Sequence, residues 1–224
     1  MSKQFEDALR KAEVQRKSGD ALRTQKKETD AVEAFEKGAR LLNEVVASSD
    51  LKTVDAKLVA EAHGALGGIL RRLDRQHEAL AAYKKGAEVE TERGLESTYN
   101  RLNWIKYRLF TGERLAMLEP EIKSLAAFIE KSLTDTSQTT AKSQLRDSGW
   151  AWADLADCNA LLGDLDKAEK YYITFIEKSE TKSPKTALDV LKDLAKHLES
   201  SKDPDAERVR AAATSLARRL GIQM

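Results

Sequence analysis

Residues 150–175 read W-A-W-A-D-L-A-D-C-N-A-L-L-G-D-L-D-K-A-E-K-Y-Y-I-T-F, and this stretch decides the fold. Trp152, Leu155 and Ala156 place a bulky, a branched and a small side chain along one helix, and Gly163 breaks it. Ala168 and Tyr172 then recur one turn apart on a second helix. Small residues at Ala156 and Ala168 let the two backbones approach, while Trp152 and Tyr172 fill the volume beside them. The same phase recurs upstream. Ala31, Ala79 and Ala168 each lie 12 residues after a small residue (Gly19, Gly67 and Ala156), and each is followed four residues later by an aromatic, Phe35, Tyr83 or Tyr172. Gly38 and Gly86 continue the grid in the first two segments, and Leu66 precedes Gly67 as Leu155 precedes Ala156.

Three segments on this grid resemble tetratricopeptide (TPR) repeats, helix–turn–helix units of about 34 residues. The resemblance implies an all-α, right-handed α-solenoid of about five antiparallel helix pairs, with residues 1–224 as a single domain. Clear repeats fall at about residues 12–45, 60–93 and 149–182. The spacing between them is not a multiple of the family period, which predicts longer helices or inserted loops. A degenerate pair occupies 95–133: its first helix runs from about Leu95 to Phe110 and stops at Thr111 and Gly112. Its second begins near Pro120 and carries Ile122, Leu125, Ala126 and Ile129 on one face.

Helical spacing of Phe5, Ala8, Leu9 and Ala12 starts the first helix close to the N-terminus. A capping pair is predicted over 184–220, because a solenoid needs a polar outer face at its end. Ser183 and Pro184 open one helix with Leu188, Leu191, Leu194, Ala195 and Leu198 inward. Asp203 and Pro204 open the other, with Ala206, Val209, Ala213, Leu216 and Leu220 inward; its Asp205, Glu207, Arg218 and Arg219 complement the helix dipole.

The balance of Lys+Arg 38 against Asp+Glu 37 argues against a general nucleic-acid or anionic-membrane binder. No run approaches the ~18 apolar residues of a membrane span, and M-S-K-Q-F-E-D-A-L-R-K lacks the apolar core of a secretory signal. A cytoplasmic protein is the expectation. No cofactor, metal or catalytic constellation is expected. His63, His77 and His197 lie on different elements, and none has a second His at metal-ligand spacing. His63 takes the bulky packing position held by Trp152 in the last repeat. Cys158 has no basic neighbour to lower its pKa and reads as structural. Gly67 and Gly68 sit within a helix and make no phosphate loop. Carboxylates such as Glu33 and Glu36 are predicted to pair with Lys37 and Arg40 along solvated faces.

Function is therefore expected on the surface, in a protein–protein adaptor or regulatory subunit. The TPR resemblance implies that first helices line a concave groove facing a partner. Carried onto this chain, it points to Arg16, Lys17, Asp20 and Arg23 in the first repeat, and to Glu61, Gly64, Gly68, Arg71 and Arg72 in the second. The degenerate repeat offers Tyr99, Asn103, Lys106 and Phe110, and the last Trp150, Asp154, Asp157 and Asn159. One end would be basic and the other aromatic with acidic residues. The expected partner is a protein or peptide segment with acidic residues and an apolar anchor near Trp150 and Tyr99. The Lys/Asn clamp of chaperone-binding TPR proteins is not reproduced, since Gly64 and Gly68 stand in its place. Two rival readings are a homo-oligomer sealed by Trp104 or Trp150, and a nucleic-acid binder using Arg16, Arg23, Arg71, Arg72 and Lys106. Residues 134–143, T-D-T-S-Q-T-T-A-K-S, read as a connector open to phosphorylation.

A second likeness covers roughly residues 60–180. The run A-Y-K-K-G-A-E-V-E-T-E-R-G-L-E-S-T-Y-N-R-L-N-W, with Tyr99, Asn103, Gly112 and the W-A-W-A-D-L-A-D-C-N-A-L-L-G-D segment, is similar to the TPR-containing regulatory (TRAF-binding) region of apoptosis signal-regulating kinases. That likeness implies a module that assembles and regulates a signalling complex.

Overall fold

The computed structural model describes residues 2–48, 51–95, 97–134, 149–178, 184–219 and 221. Among these there are ten α-helices, one short 3-10 turn (Leu51–Thr53) and no strand. The helices are α1 (Ser2–Thr24), α2 (Glu28–Val46), α3 (Ala56–Arg72), α4 (Gln76–Glu92), α5 (Tyr99–Phe110), α6 (Leu115–Thr134), α7 (Gly149–Leu162), α8 (Leu165–Lys178), α9 (Pro184–Ser200) and α10 (Ala206–Arg219). Ser183, Leu220 and most of the 134–143 connector fall outside the described residues.

One turn geometry recurs at five points between consecutive helices among the described residues. Lys26, Asp74, Gly112, Gly163 and Lys202 all have positive φ, from 57° to 98°. The next residue in each case donates its N–H to the carbonyl five positions back: Lys27 to Leu22, Arg75 to Leu70, Glu113 to Arg108, Asp164 to Asn159 and Asp203 to Leu198, at 2.9–3.0 Å. This geometry satisfies carbonyls that a helix end leaves unpaired and reverses the chain. Only two of the five turns use glycine. Lys26, Asp74 and Lys202 take the left-handed conformation at a cost of roughly 1 kcal/mol each.

The chain divides into two compact units, Met1–Leu95 and Glu96–Met224. In the first, α1 packs on α2 and α3 on α4, and α3 also lies against α1 and α2. The repeat grid is the reason for the close approach. Gly19 faces the ring of Phe35 and Gly67 faces that of Tyr83; a Cβ on Gly67 would come within 2.8 Å of Tyr83 Cε1, and one on Gly19 closer still to Phe35. Both rings are 0–1% exposed, and each contributes roughly 2–3 kcal/mol by burial. Asp55 caps α3 by accepting from the Lys57 N–H at 2.8 Å.

In the second unit α7 is the central helix. Ala151, Ala153 and every residue from Leu155 to Leu161 are buried, with α5, α6, α8, α9 and α10 packed around it. The inward stripes of α9 and α10 (Leu188, Leu191, Leu194, Leu198; Val209, Ala213, Leu216) join one core with Leu102, Leu109, Leu118, Ile122 and Phe175. This last pair also reaches the first pair of the unit. His197 meets Phe110 edge to face at 5.6 Å, and Arg208 pairs with Glu119 at 3.1 Å. Arg219 pairs with Asp166 and Glu169 on α8.

Two helix starts differ from the sequence expectation. Rather than near Leu95, α5 begins at Tyr99: Gly94 has φ +61°, the Leu95 N–H closes α4 on Glu90 at 2.8 Å, and Thr98 precedes α5. Rather than near Pro120, α6 begins at Leu115 and holds Pro120 inside it. Leu115 and Leu118 are fully buried, so the core captures a turn of helix ahead of the proline. Glu33 pairs with Lys37 at 2.7 Å as expected. Glu36 instead reaches Arg75 at 3.2 Å.

Candidate functional site

The expected basic residues of the first unit are gathered where α1 ends beside the end of α3. Asp20 is their hub. It accepts from Arg16 at 2.9 Å and from Arg72 at 2.7 and 3.2 Å. Arg16 also chelates Glu13 at 2.6–2.7 Å, and Arg72 donates to the Gly68 carbonyl at 2.9 Å. Arg23 pairs with Glu28 at 2.6 Å, donates to the Arg72 carbonyl at 3.0 Å and stacks 5.0 Å over Phe35. All three guanidinium groups are thus taken up by the chain's own carboxylates, and α1 is tied to α3 by the Arg72–Asp20 pair and by the Arg23 bond to the Arg72 carbonyl. Lys17 is exposed, 3.4 Å from Glu13, and Arg71 is half-buried without an ion pair among the described residues. Glu61 is exposed, whereas Gly64 and Gly68 are buried. His63 is buried too. Its Nδ1 lacks a hydrogen-bond partner, and burial, with Lys85 nearby, depresses its pKa to about 4.

In the second unit the expected residues separate into an interior set and an exposed set. Lys106 and Asp157 are 5% and 3% exposed and form an ion pair with each other. The Tyr172 hydroxyl donates to the other Asp157 oxygen. Neither charge expected to meet a partner is therefore presented to solvent; each neutralises the other between α5, α7 and α8. Burial and the Asp157 carboxylate raise the Tyr172 pKa well above its ordinary value, so the hydroxyl stays a donor. Burial, then the charges of Asp154 and Asp157, raise the Cys158 thiol likewise, which leaves it protonated and inert. Asn159 is buried and donates to the Leu155 carbonyl at 2.8 Å. Asp154 accepts from the Thr98 hydroxyl at 2.6 Å, which binds the start of α5 to α7. Asn103 donates to the Tyr99 carbonyl at 2.8 Å.

The exposed set is aromatic. Trp150 is 51% exposed and Tyr99 48%, and the Trp150 ring lies 5.2 Å from that of buried Phe175. Trp104 is half-buried and lies under the Arg108 guanidinium at 4.9 Å. Phe110 is held by Tyr107 and His197. Sequence reasoning missed Ile173 and Ile176, which α8 leaves 42% and 37% exposed beside Phe175. The interior pair had a legible signal: Lys106 lies four residues after Leu102 on the stripe that also holds Ile105 and Leu109, a position where a charge needs a buried partner.

Among the described residues no group of three or more His, Cys, Asp or Glu side chains is placed to hold a metal ion, and no helix is long and apolar enough to cross a membrane. No protein-family model matches the chain, and no curated protein matches it.

Proposed function

We propose that this chain is a non-enzymatic adaptor or regulatory subunit. Its helix pairs stack as a TPR-like, right-handed solenoid, and a segment of a partner protein lies along the exposed sides of the first helices. The observation that carries this reading is the recurrence of one hairpin unit, with a glycine under the aromatic ring of the second helix in two pairs and the same left-handed turn in five. A chain built by repeating a hairpin generates surface along its length, which is how such arrays bind extended partners. The likeness to the regulatory region of the signal-regulating kinases supports a role in assembling a complex, and a cytoplasmic place accords with it. The exposed Trp150 also keeps self-association as a second reading.

Affinity capture from native lysate tests the proposal, with two variants beside the wild type: Lys17→Glu/Arg71→Glu and Tyr99→Ala/Trp150→Ala. Arg72 and Lys106 are left intact because each holds an internal ion pair. A protein retained by the wild type and lost from one variant of unchanged helicity supports an adaptor and shows which end binds. Recovery of the chain alone, with a mass that rises with concentration, favours self-association and counts against the adaptor.

A further inference from the structure

Within the second unit the α5–α6 hairpin packs on α7 through an apolar stripe that repeats itself. On α6 the residues Leu115, Leu118, Ile122, Leu125, Ile129 and Leu133 follow one another at spacings of three or four, and Leu102, Ile105 and Leu109 do the same on α5. All are exposed by 5% or less and belong to one core. Every member is Leu or Ile. A displacement by one helical turn, about 5 Å, would set Leu or Ile where Leu or Ile already stands, and packing of such equivalent side chains distinguishes poorly between the two alignments. The displacement would be one of the whole hairpin. Arg108 of α5 holds Glu113 and Glu121 at 2.6–2.7 Å, and the turn at Gly112 closes directly after it.

One interior contact is not repeated. Lys106 stands between Ile105 and Leu109 on α5 and pairs with Asp157 of α7, and these are the only charged side chains buried among the unit's described residues. Tyr172 of α8 holds the other Asp157 oxygen, so the carboxylate is fixed from within its own hairpin. A slide towards the end of α7 would set Lys106 against Ala160 and Leu161, both buried and apolar. A slide towards its start would reach Asp154 but strand Asp157. Either alignment leaves a buried charge without its counter-charge, which an apolar interior does not tolerate. Two other bonds cross between the hairpins, Thr98 to Asp154 at 2.6 Å and Tyr171 to Glu130 at 2.7 Å. Both carboxylates reach solvent, where water can replace the lost partner.

We infer that the Lys106–Asp157–Tyr172 set is a register key: it admits one alignment of the α5–α6 hairpin on α7–α8 and excludes those displaced by a turn. A single buried polar residue fixes register in coiled coils on the same principle. The stripe supplies cohesion, and the pair supplies the choice of alignment. This inference stands independently of the adaptor reading above.

The test compares the full-length wild type with Lys106→Met/Asp157→Leu/Tyr172→Phe, in which the whole set is apolar. Circular dichroism establishes that the variant is folded. Nitroxide labels on exposed positions then measure the distance between hairpins by double electron–electron resonance. One label pair is Lys123→Cys on α6 with Glu177→Cys on α8, and the other is Lys131→Cys with Glu177→Cys; Cys158 is buried and stays in place. The wild type is expected to give one distance for each pair. The triple variant is expected to add a second, displaced by up to about 5 Å, with a population roughly tenfold or more above the wild-type level. A folded triple variant with only the wild-type distances would overturn the inference, because the stripe would then set the alignment by itself. Should the triple variant not fold, Lys106→Met/Asp157→Asn is measured in the same way, since it keeps an acceptor for Tyr172 and removes only the tie to α5. Unchanged single distances there would overturn the inference. Loss of the fold in both variants would overturn it as well, because the set would then supply stability and not choice.

Discussion

Removing one member of the buried Lys106–Asp157 pair is expected to destabilise the second unit far more than removing both. Lys106→Ala leaves a carboxylate that is 3% exposed and bonded to the Tyr172 hydroxyl but has lost its counter-charge. An uncompensated buried charge of this kind costs about 3–5 kcal/mol. Asp157→Ala strands Lys106, 5% exposed, at a similar cost. Replacing the whole set with apolar side chains, Lys106→Met/Asp157→Leu/Tyr172→Phe, removes the desolvated charges together with the hydroxyl. Such swaps are neutral or stabilising by about 1–4 kcal/mol when the volume is kept. The chain offers a selective probe, since all three tryptophans (Trp104, Trp150 and Trp152) lie in the second unit. Urea unfolding followed by tryptophan fluorescence therefore reports that unit, while circular dichroism reports both, and the two traces need not coincide. The single variants should lower the unit's melting temperature by about 10–20 °C, and the triple variant should restore it. A single loss below about 1 kcal/mol, or a triple variant no better than either single one, would refute the buried pairing.

Gly19→Ala and Gly67→Ala should each destabilise by about 1–3 kcal/mol through overpacking, although alanine favours a helix by about 1 kcal/mol. Phe35→Leu added to Gly19→Ala should recover part of the loss in thermal melts; no recovery would show that the ring is not the obstacle. His63 supplies a pH signature. Its pKa is about 4 in the folded chain against 6.5 when unfolded, so the unfolded state binds the extra proton and stability falls as pH drops from 6.5 towards 4. The loss is about 3 kcal/mol at and below pH 4 and vanishes above 6.5. His63→Leu should flatten this part of the profile relative to wild type, and equal slopes would exclude the assignment. Arg71→Glu should alter stability by no more than about 0.5 kcal/mol, whereas Arg72→Glu, which sets a second carboxylate against Asp20, should cost more, as guanidinium unfolding can establish.

The hairpins were legible where packing demanded a residue type and obscure where the backbone alone carried the geometry. Gly19 and Gly67 announce themselves because an aromatic ring occupies the space of their Cβ atoms. The turns at Lys26 and Lys202 do not, since lysine there gives no sign of a left-handed residue that glycine usually marks. The same difference explains the helix starts. Pro120 is a local signal for a beginning, yet burial of Leu115 and Leu118 is a tertiary effect and it prevails.

The candidate site divides along similar lines. The TPR resemblance assigns Trp150 and Tyr99 to a partner-facing side of their helices, and both side chains are about half exposed. It does not say what stands opposite. Lys106 and Asp157 share the phase of groove residues, but the helix each of them faces is the other's, and low dielectric between α5 and α7 turns two prospective ligand contacts into one internal pair. Arg16, Arg23 and Arg72 follow the same logic at the surface, where carboxylates from α1 and α2 meet them before any partner does. A charge in this chain is thus a guide to its neighbours first. The large apolar side chains that the fold leaves exposed among the described residues are Val14 and Val32 in the first unit and Tyr99, Met117, Trp150, Ile173 and Ile176 in the second, and burial of apolar area is the interaction they still have to offer.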